Sequence, residues 1–184
     1  NNLISPFIPA GFYYKTFMWP KSFWKSVYEP LIRKSAGLGK SPIKPDPEIY
    51  DHKYIHCDVL VIGGGISGII SAKLSAKNNL NTILIDDKKE LGGSTIFQDN
   101  EIFKINNKIS KDWLINEIDE IKKLKNLQIK TRTSVAAYHD YNYLLARESL
   151  NDHLPKHEKN GSIRQRLWKI RAKKVIIVTG AIER

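Results

Sequence analysis

Cysteine is nearly missing from this chain. One residue, Cys57, in 184 excludes an internal disulfide framework, a Cys-x-x-Cys redox pair and any iron–sulfur cluster held by its own thiolates. It reads as a small buried hydrophobe opening a strand. Long apolar runs are absent too: nothing approaches the roughly 18 residues that a membrane span needs. Asn1 is followed by neither the basic nor the apolar region of a signal peptide, so the expectation is a cytoplasmic protein without membrane contact. Acidic residues are in short supply, 19 against 30 Lys and Arg, a net charge of +11. The basic residues are scattered among Asn and Ile with no nucleic-acid motif, so no nucleic acid is expected. An acidic partner subunit or an anionic cofactor is the better sink for that charge. With 41% hydrophobic and 27% charged residues the chain is globular, long enough for one cored domain plus an extension.

What is present centres on Cys57-Asp-Val-Leu-Val-Ile-Gly-Gly-Gly-Ile-Ser-Gly68. An apolar run meets a glycine turn, with Gly63, Gly65 and Gly68 in the G-x-G-x-x-G pattern, and a helix-like segment follows to about Lys77. The first glycine permits the turn, the second admits a pyrophosphate against bare backbone, and the third packs helix on strand. A helix N-terminus pointing its unpaired N–H groups at that spot favours phosphate, and Ser67 lies in that first turn. The pattern alone is weak, since glycines also cluster in ordinary turns. A second apolar strand, Asn81 to Asp86, strengthens it, because its closing carboxylate stands where a ribose-binding acid belongs. Asp86, with Asp87 beside it, would accept from ribose hydroxyls and repel a 2′-phosphate, favouring NAD or FAD over NADP. The plain alternative is that both acids start a solvated loop.

Residues 1–52 read differently. Phe7, Phe12, Tyr13, Tyr14, Phe17, Trp19, Phe23, Trp24 and Tyr28 crowd around Pro6, Pro9, Pro20 and Pro30. A helix over Trp24–Leu38, broken near Pro30 and ended by Gly37-Leu-Gly39, is expected there. The arm either packs on the following domain or docks a partner, and both readings stay open. Ser41 to Pro47 reads as a stiff connector. The dinucleotide-binding domain is expected over 53–184.

Within that domain, Ile66, Ile69, Ile70 and Leu74 form the apolar stripe of the first helix, with Ser71, Ala72 and Ala76 small enough for close approach to the sheet. Gly92-Gly93 followed by Ser94 either brings backbone near a diphosphate or turns the chain. Ser110 is a candidate N-cap for a helix to about Lys125, with Leu114, Ile118 and Ile121 inward. Strands are expected at 127–135, 143–150, 165–171 and 173–180, the middle pair forming a small antiparallel excursion within a parallel sheet. His139, His153 and His157 invite a metal reading, but Pro155 spoils a helical pair, so no metal is expected. Thr179-Gly180 closes the last strand at the ligand-binding edge. The chain then stops four residues on and lacks an initiator Met, which reads as a fragment incomplete at both ends.

These motifs resemble the two-dinucleotide-binding flavoproteins over about 56–184, implying an α/β, Rossmann-like doubly wound parallel sheet. Ala10 to Pro20, Tyr28 to Arg33, Ala36 to Gly39, Tyr141-Asn-Tyr143, Arg166 to Ala172 and Thr179 to Arg184 resemble, more narrowly, the alpha subunits of heterotetrameric sarcosine oxidases. That resemblance implies oxidative demethylation of sarcosine to glycine with O2 and tetrahydrofolate in a complex with beta, gamma and delta subunits. It implies NAD in this region, FAD being the alternative, with FMN or FAD and tetrahydrofolate held elsewhere in the complex. Gly63, Gly65 and Gly68 would hold the pyrophosphate and Asp86 the ribose, while Ser94, Val135, Thr179 and Gly180 line the rest of the path, Ser67, Asp87 and Gly93 beside them. No catalytic residue is expected here. The alternatives are an FAD-binding subunit of an amine or opine oxidase, a pyridine-nucleotide reductase, or a scaffold with a structural nucleotide.

Overall fold

A computed structural model describes residues 20–37, 43–97, 104–105, 108–155 and 161–181. The aromatic stretch through Trp19, Gly39, His157 and the last three residues fall outside these. The chain parts into two units, Asn1–Asp46 and Pro47–Arg184.

In the first unit a π-type turn, Trp24–Tyr28, runs straight into helix α1, Glu29–Ser35. The expected break at Pro30 is absent. Pro30 sits in the first turn of α1, just after the winding changes from π to α at Glu29, whose N–H reaches back to the Trp24 carbonyl. Gly37 then leaves the helix at φ +68, the left-handed conformation that lets its N–H reach the Lys34 carbonyl.

The second unit is a mixed six-stranded sheet flanked by helices. Its strands are β1 (Ile49–Ile62), β2 (Thr82–Ile85), β5 (Leu127–Lys130), β6 (Thr133–His139), β7 (Tyr143–Ser149) and β8 (Ile163–Ile177), ordered β5-β2-β1-β8-β7-β6. Strands β5, β2, β1 and β8 run parallel, whereas β7 and β6 add antiparallel at one edge. Helix α2 (Ile66–Lys77) connects β1 to β2. A short hairpin, β3 (Lys104–Ile105) with β4 (Lys108–Ile109), and helix α3 (Ser110–Lys122) lie between β2 and β5.

Three strand expectations change. β1 starts at Ile49, so Cys57 lies inside the strand rather than at its start. The segment 127–135 is two strands, because Arg132 adopts φ +50 and donates its N–H to the Lys88 carbonyl, turning the chain from β5 into β6. The segments 165–171 and 173–180 are one strand, β8, since no Pro, Gly, Asn or Asp interrupts Ile163–Ile177. The antiparallel strands are therefore the edge of the main sheet.

Side-chain alternation sends β1 and β2 into two cores. Val59, Val61 and Leu84 join Ile69, Ala72, Trp113, Leu114 and Ile121 under the helices. Leu60, Ile62, Ile83 and Ile85 join Leu144, Ala146, Trp168 and Ile170 on the other side. β5 and β6 lie at opposite edges of the sheet yet follow one another directly in the chain, and Thr133 N–H bonds the Asp86 carbonyl at 2.8 Å, so the sheet folds over on itself. Burial of each large side chain contributes roughly 1.5–3 kcal/mol.

Helix α2 buries Gly68, Ile69, Ala72 and Ala76, with Ile66 packed against the same core, so Ala72 and Ala76 approach the sheet as expected and only part of the expected stripe turns inward. Ile70 and Leu74 remain 37% and 57% exposed. Close approach to the sheet selects the small residues and turns the bulky ones out. In α3 Leu114 and Ile121 are buried as expected, with Trp113 beside them, and Ile118 packs against the same core. Ser110 is the first helical residue rather than the N-cap, and its hydroxyl caps nothing.

Candidate dinucleotide site

The carboxyl ends of β1, β2 and β8 meet where β1 has β2 on one side and β8 on the other, the switch point at which open α/β sheets take ligands. The turn after β1 is built from glycines with separate steric reasons. Gly63 has φ +111, and a Cβ there would strike the Val178 carbonyl. A Cβ on Gly68 would strike the carbonyl of Gly63, which closes helix onto turn. At Gly65, the N-cap of α2, a Cβ would meet nothing within 4 Å, and no side chain caps the first turn. That opening, backed by free helix N–H groups, suits a diphosphate.

Asp86 leaves the end of β2 and is 9% exposed. Its carboxylate accepts from the Gly64 N–H at 2.5 Å and from the Lys88 N–H at 2.8 Å. It is thus pinned against the glycine turn, with further acceptor capacity for ribose hydroxyls. Asp87 is exposed and pairs with Lys88 at 3.0 Å. Gly92 donates to the Gly64 carbonyl at 2.7 Å, and the Cβ position of Gly93 is 3.1 Å from the Gly65 Cα. Gly92-Gly93, both at positive φ, thus turn the chain directly against the fingerprint.

A cleft of about 420 Å³ opens here, lined by Gly63, Asp86, Asp87, Val135 and Thr179 among the residues expected from sequence. Thr133, Ser134 and Tyr138 line it too and went unforeseen. Nothing local marks them, because β6 reaches the cleft only when Thr133 N–H bonds the Asp86 carbonyl. Ser67 and Ser94 are exposed, and neither they nor Gly65, Gly68 and Gly93 line this cleft, while Gly180, at φ +74, lies just past Thr179. A second groove, about 480 Å³, runs between α3 and β5 over Leu91, Ile115, Ile118 and Ile129, with Lys89, Glu90, Lys111, Lys122 and Thr131 also lining it.

Other candidates sit apart. Cys57 is buried, and burial, with the Asp58 charge adding, pushes its thiol up to about 11. His139 ends β6 against Tyr143, ring centres 5.9 Å apart, and His153 is in the loop after β7. Among the described residues no three His, Cys, Asp or Glu gather for a metal, and no helix is long and apolar enough to cross a membrane.

Residues 58–164 match the FAD dependent oxidoreductase family. The chain belongs to that family. Within it, relatives include sarcosine oxidase subunit alpha of Rhizobium meliloti, 39% identical over 184 residues, all of this chain and 18% of that protein. The Corynebacterium sp. (strain U-96) protein of the same name is 33% identical over 81% of this chain and 15% of its own length. The chain thus spans less than a fifth of these relatives. Among solved structures, L-proline dehydrogenase from P. horikoshii superimposes with a TM-score of 0.54 at 26% identity, over 78% of this chain and 26% of that one. Membership supports flavin as the dinucleotide, where the sequence reading put NAD first.

Proposed function

We propose that the cleft binds the ADP half of a dinucleotide and that this chain is the dinucleotide-binding part of the alpha subunit of a sarcosine oxidase-like amine oxidoreductase. The observation that carries the reading is convergence: the open Gly65 turn, the pinned Asp86 and the Gly92-Gly93 backbone meet within hydrogen-bonding or van der Waals distance. In this reading the Gly63–Gly68 turn and the α2 N-terminus hold the pyrophosphate, Asp86 accepts from the ribose, and Gly93, Ser94, Val135, Thr179 and Gly180 border the remaining path. Ser67 and Asp87 flank it. FAD is favoured by the family and NAD by the narrower resemblance; the residues named face the half that both share. Bound flavin would supply two-electron oxidation of an amine, and this chain's residues would only bind and orient it. Sarcosine as substrate, tetrahydrofolate as acceptor, beta, gamma and delta subunits in a heterotetramer and a cytoplasmic setting complete the reading, supported by 39% identity along the whole chain.

The test is to purify the complete protein from its host, denature it and identify the released nucleotides by chromatography and absorbance. NAD or FAD in stoichiometric amount supports the site, and its loss with Asp86→Ala assigns the ribose contact. Absence of any adenine dinucleotide from the native protein overturns the proposal.

A further inference from the structure

The outer face of the folded-over sheet carries a field that meets the dinucleotide cleft only at Ser134. Residues in register across strands share a face. His56, Arg171, Tyr143 and His139 form one row across β1, β8, β7 and β6. Tyr54, Lys169, Leu145 and Ala137 form the next, and His52, Leu167, Arg147 and Ser134 the third. No carboxylate occurs in the three rows. The acids of these strands lie elsewhere: Asp51 and Glu148 share the opposite face with Arg166 and Trp168, bound at 2.9 Å and 2.7 Å. Asp58 and Asp152 stand at the two ends, paired with Lys173 and Arg164. Among the described residues, Arg147, Lys169 and Arg171 have no ion-pair partner.

Each tyrosine ring of these rows carries a cation, although Tyr54 stays 67% exposed. Lys169 sits 4.8 Å over Tyr54 and donates to its hydroxyl, and Arg171 lies 5.0 Å over Tyr143. Arg171 also donates to the carbonyl of Tyr141. Tyr141 holds a left-handed φ of +58 although 88% exposed, a conformation that a bulky residue adopts only under constraint. Cations held over rings still present N–H groups to carboxylates.

We propose that this face docks an acidic surface of a partner polypeptide, with Lys169, Arg147 and Arg171 as its anchors and Tyr54 and Tyr143 as rigid supports. Tyr and Arg are the side chains that dominate interface energetics, and a one-signed field steers an oppositely charged partner. The inference rests on the subunit reading above, since it needs a partner chain to exist.

The experiment uses the full-length protein with whatever polypeptides co-purify from its host, treated with a carbodiimide that joins amines to carboxylates and mapped by peptide mass spectrometry. The expected result is a link from Lys169 to an Asp or Glu of a separate polypeptide. The double variant R147E/K169E should retain that polypeptide about ten-fold less or weaker still, with its dinucleotide content unchanged. Links confined to this chain, residues 1–46 included, overturn the proposal. So does full retention by the variant, or a bound species that nuclease removes. Because the cross-link is read on the wild-type protein, misfolding of the variant cannot decide the outcome. A missing dinucleotide would sink the proposed cofactor site and leave this result readable.

Discussion

Helices α2 and α3 cover one face of the parallel strands, whereas the protein's own returning strands cover the other. The helical side is assembled from neighbours in sequence: β1, its glycine turn, α2 and β2 occupy 49–85 and make the fingerprint on the way. The opposite side depends on a strand that returns from far along the chain, since Ile49–Ile62 pairs with Ile163–Ile177 along nearly their whole lengths. Both sides bury comparable side chains. What differs is that a local unit announces itself by motif, whereas a distant pairing leaves only generic alternation.

The sharpest break in that comparison is at Gly68. Gly68→Ala drives a Cβ into the Gly63 carbonyl, so a loss of about 3 kcal/mol or more is expected, with dinucleotide binding lost as well. Denaturant unfolding and nucleotide content check both. On the other face Ile170→Ala removes a fully buried side chain and should cost about 3 kcal/mol, while molecules that remain folded keep their nucleotide. If Ile170→Ala emptied the cleft as thoroughly as Gly68→Ala, the two faces would not be separable. Gly65→Ala inverts the pattern. With φ −73 and open space ahead, it should leave stability within about 0.5 kcal/mol yet weaken dinucleotide binding about ten-fold, read by titration of the stripped protein.

Smaller effects probe the ends and the middle of the sheet. Hydrogen bonds from Gln165 and Arg164, with Ser149 adding, lower the Asp152 carboxyl from its usual 3.8 to about 2. A depressed carboxyl contributes stability above its unfolded value and loses it as pH falls through the folded one. Asp152→Asn should therefore flatten the loss of stability between pH 3.8 and about pH 2, measured as unfolding midpoint against pH. Unchanged pH dependence would mean that the contacts from Gln165, Arg164 and Ser149 together contribute nothing. Last, Cys57 should resist alkylation at neutral pH in the native state and react once unfolded, because burial holds its thiol near 11.

The glycine fingerprint, Asp86 and the core residues of β2 were legible because each obeys a short-range rule. The small residues Gly68, Ala72 and Ala76 on the inward face of α2 were legible as well, but Ile70 and Leu74 were not: they match a helical stripe by type, yet remain 37% and 57% exposed. Arg132 gave no turn signal, being neither Gly nor Asn, and its left-handed φ is set by its bond to Lys88. Tyr138, Thr133 and Ser134 reach the cleft through that same turn.

By itself, then, the order of residues determined the β1-turn-α2-β2 unit, its open turn at Gly65 and the acid beside it, since steric and hydrogen-bonding demands over roughly twenty residues admit few alternatives. Only the tertiary structure decided that β8 is one strand, that the sheet folds over to enclose a second core, and that every unpaired cation of three rows faces outward. Those outcomes depend on pairing between segments about a hundred residues apart, whose register follows from the burial of both faces together and not from either segment alone.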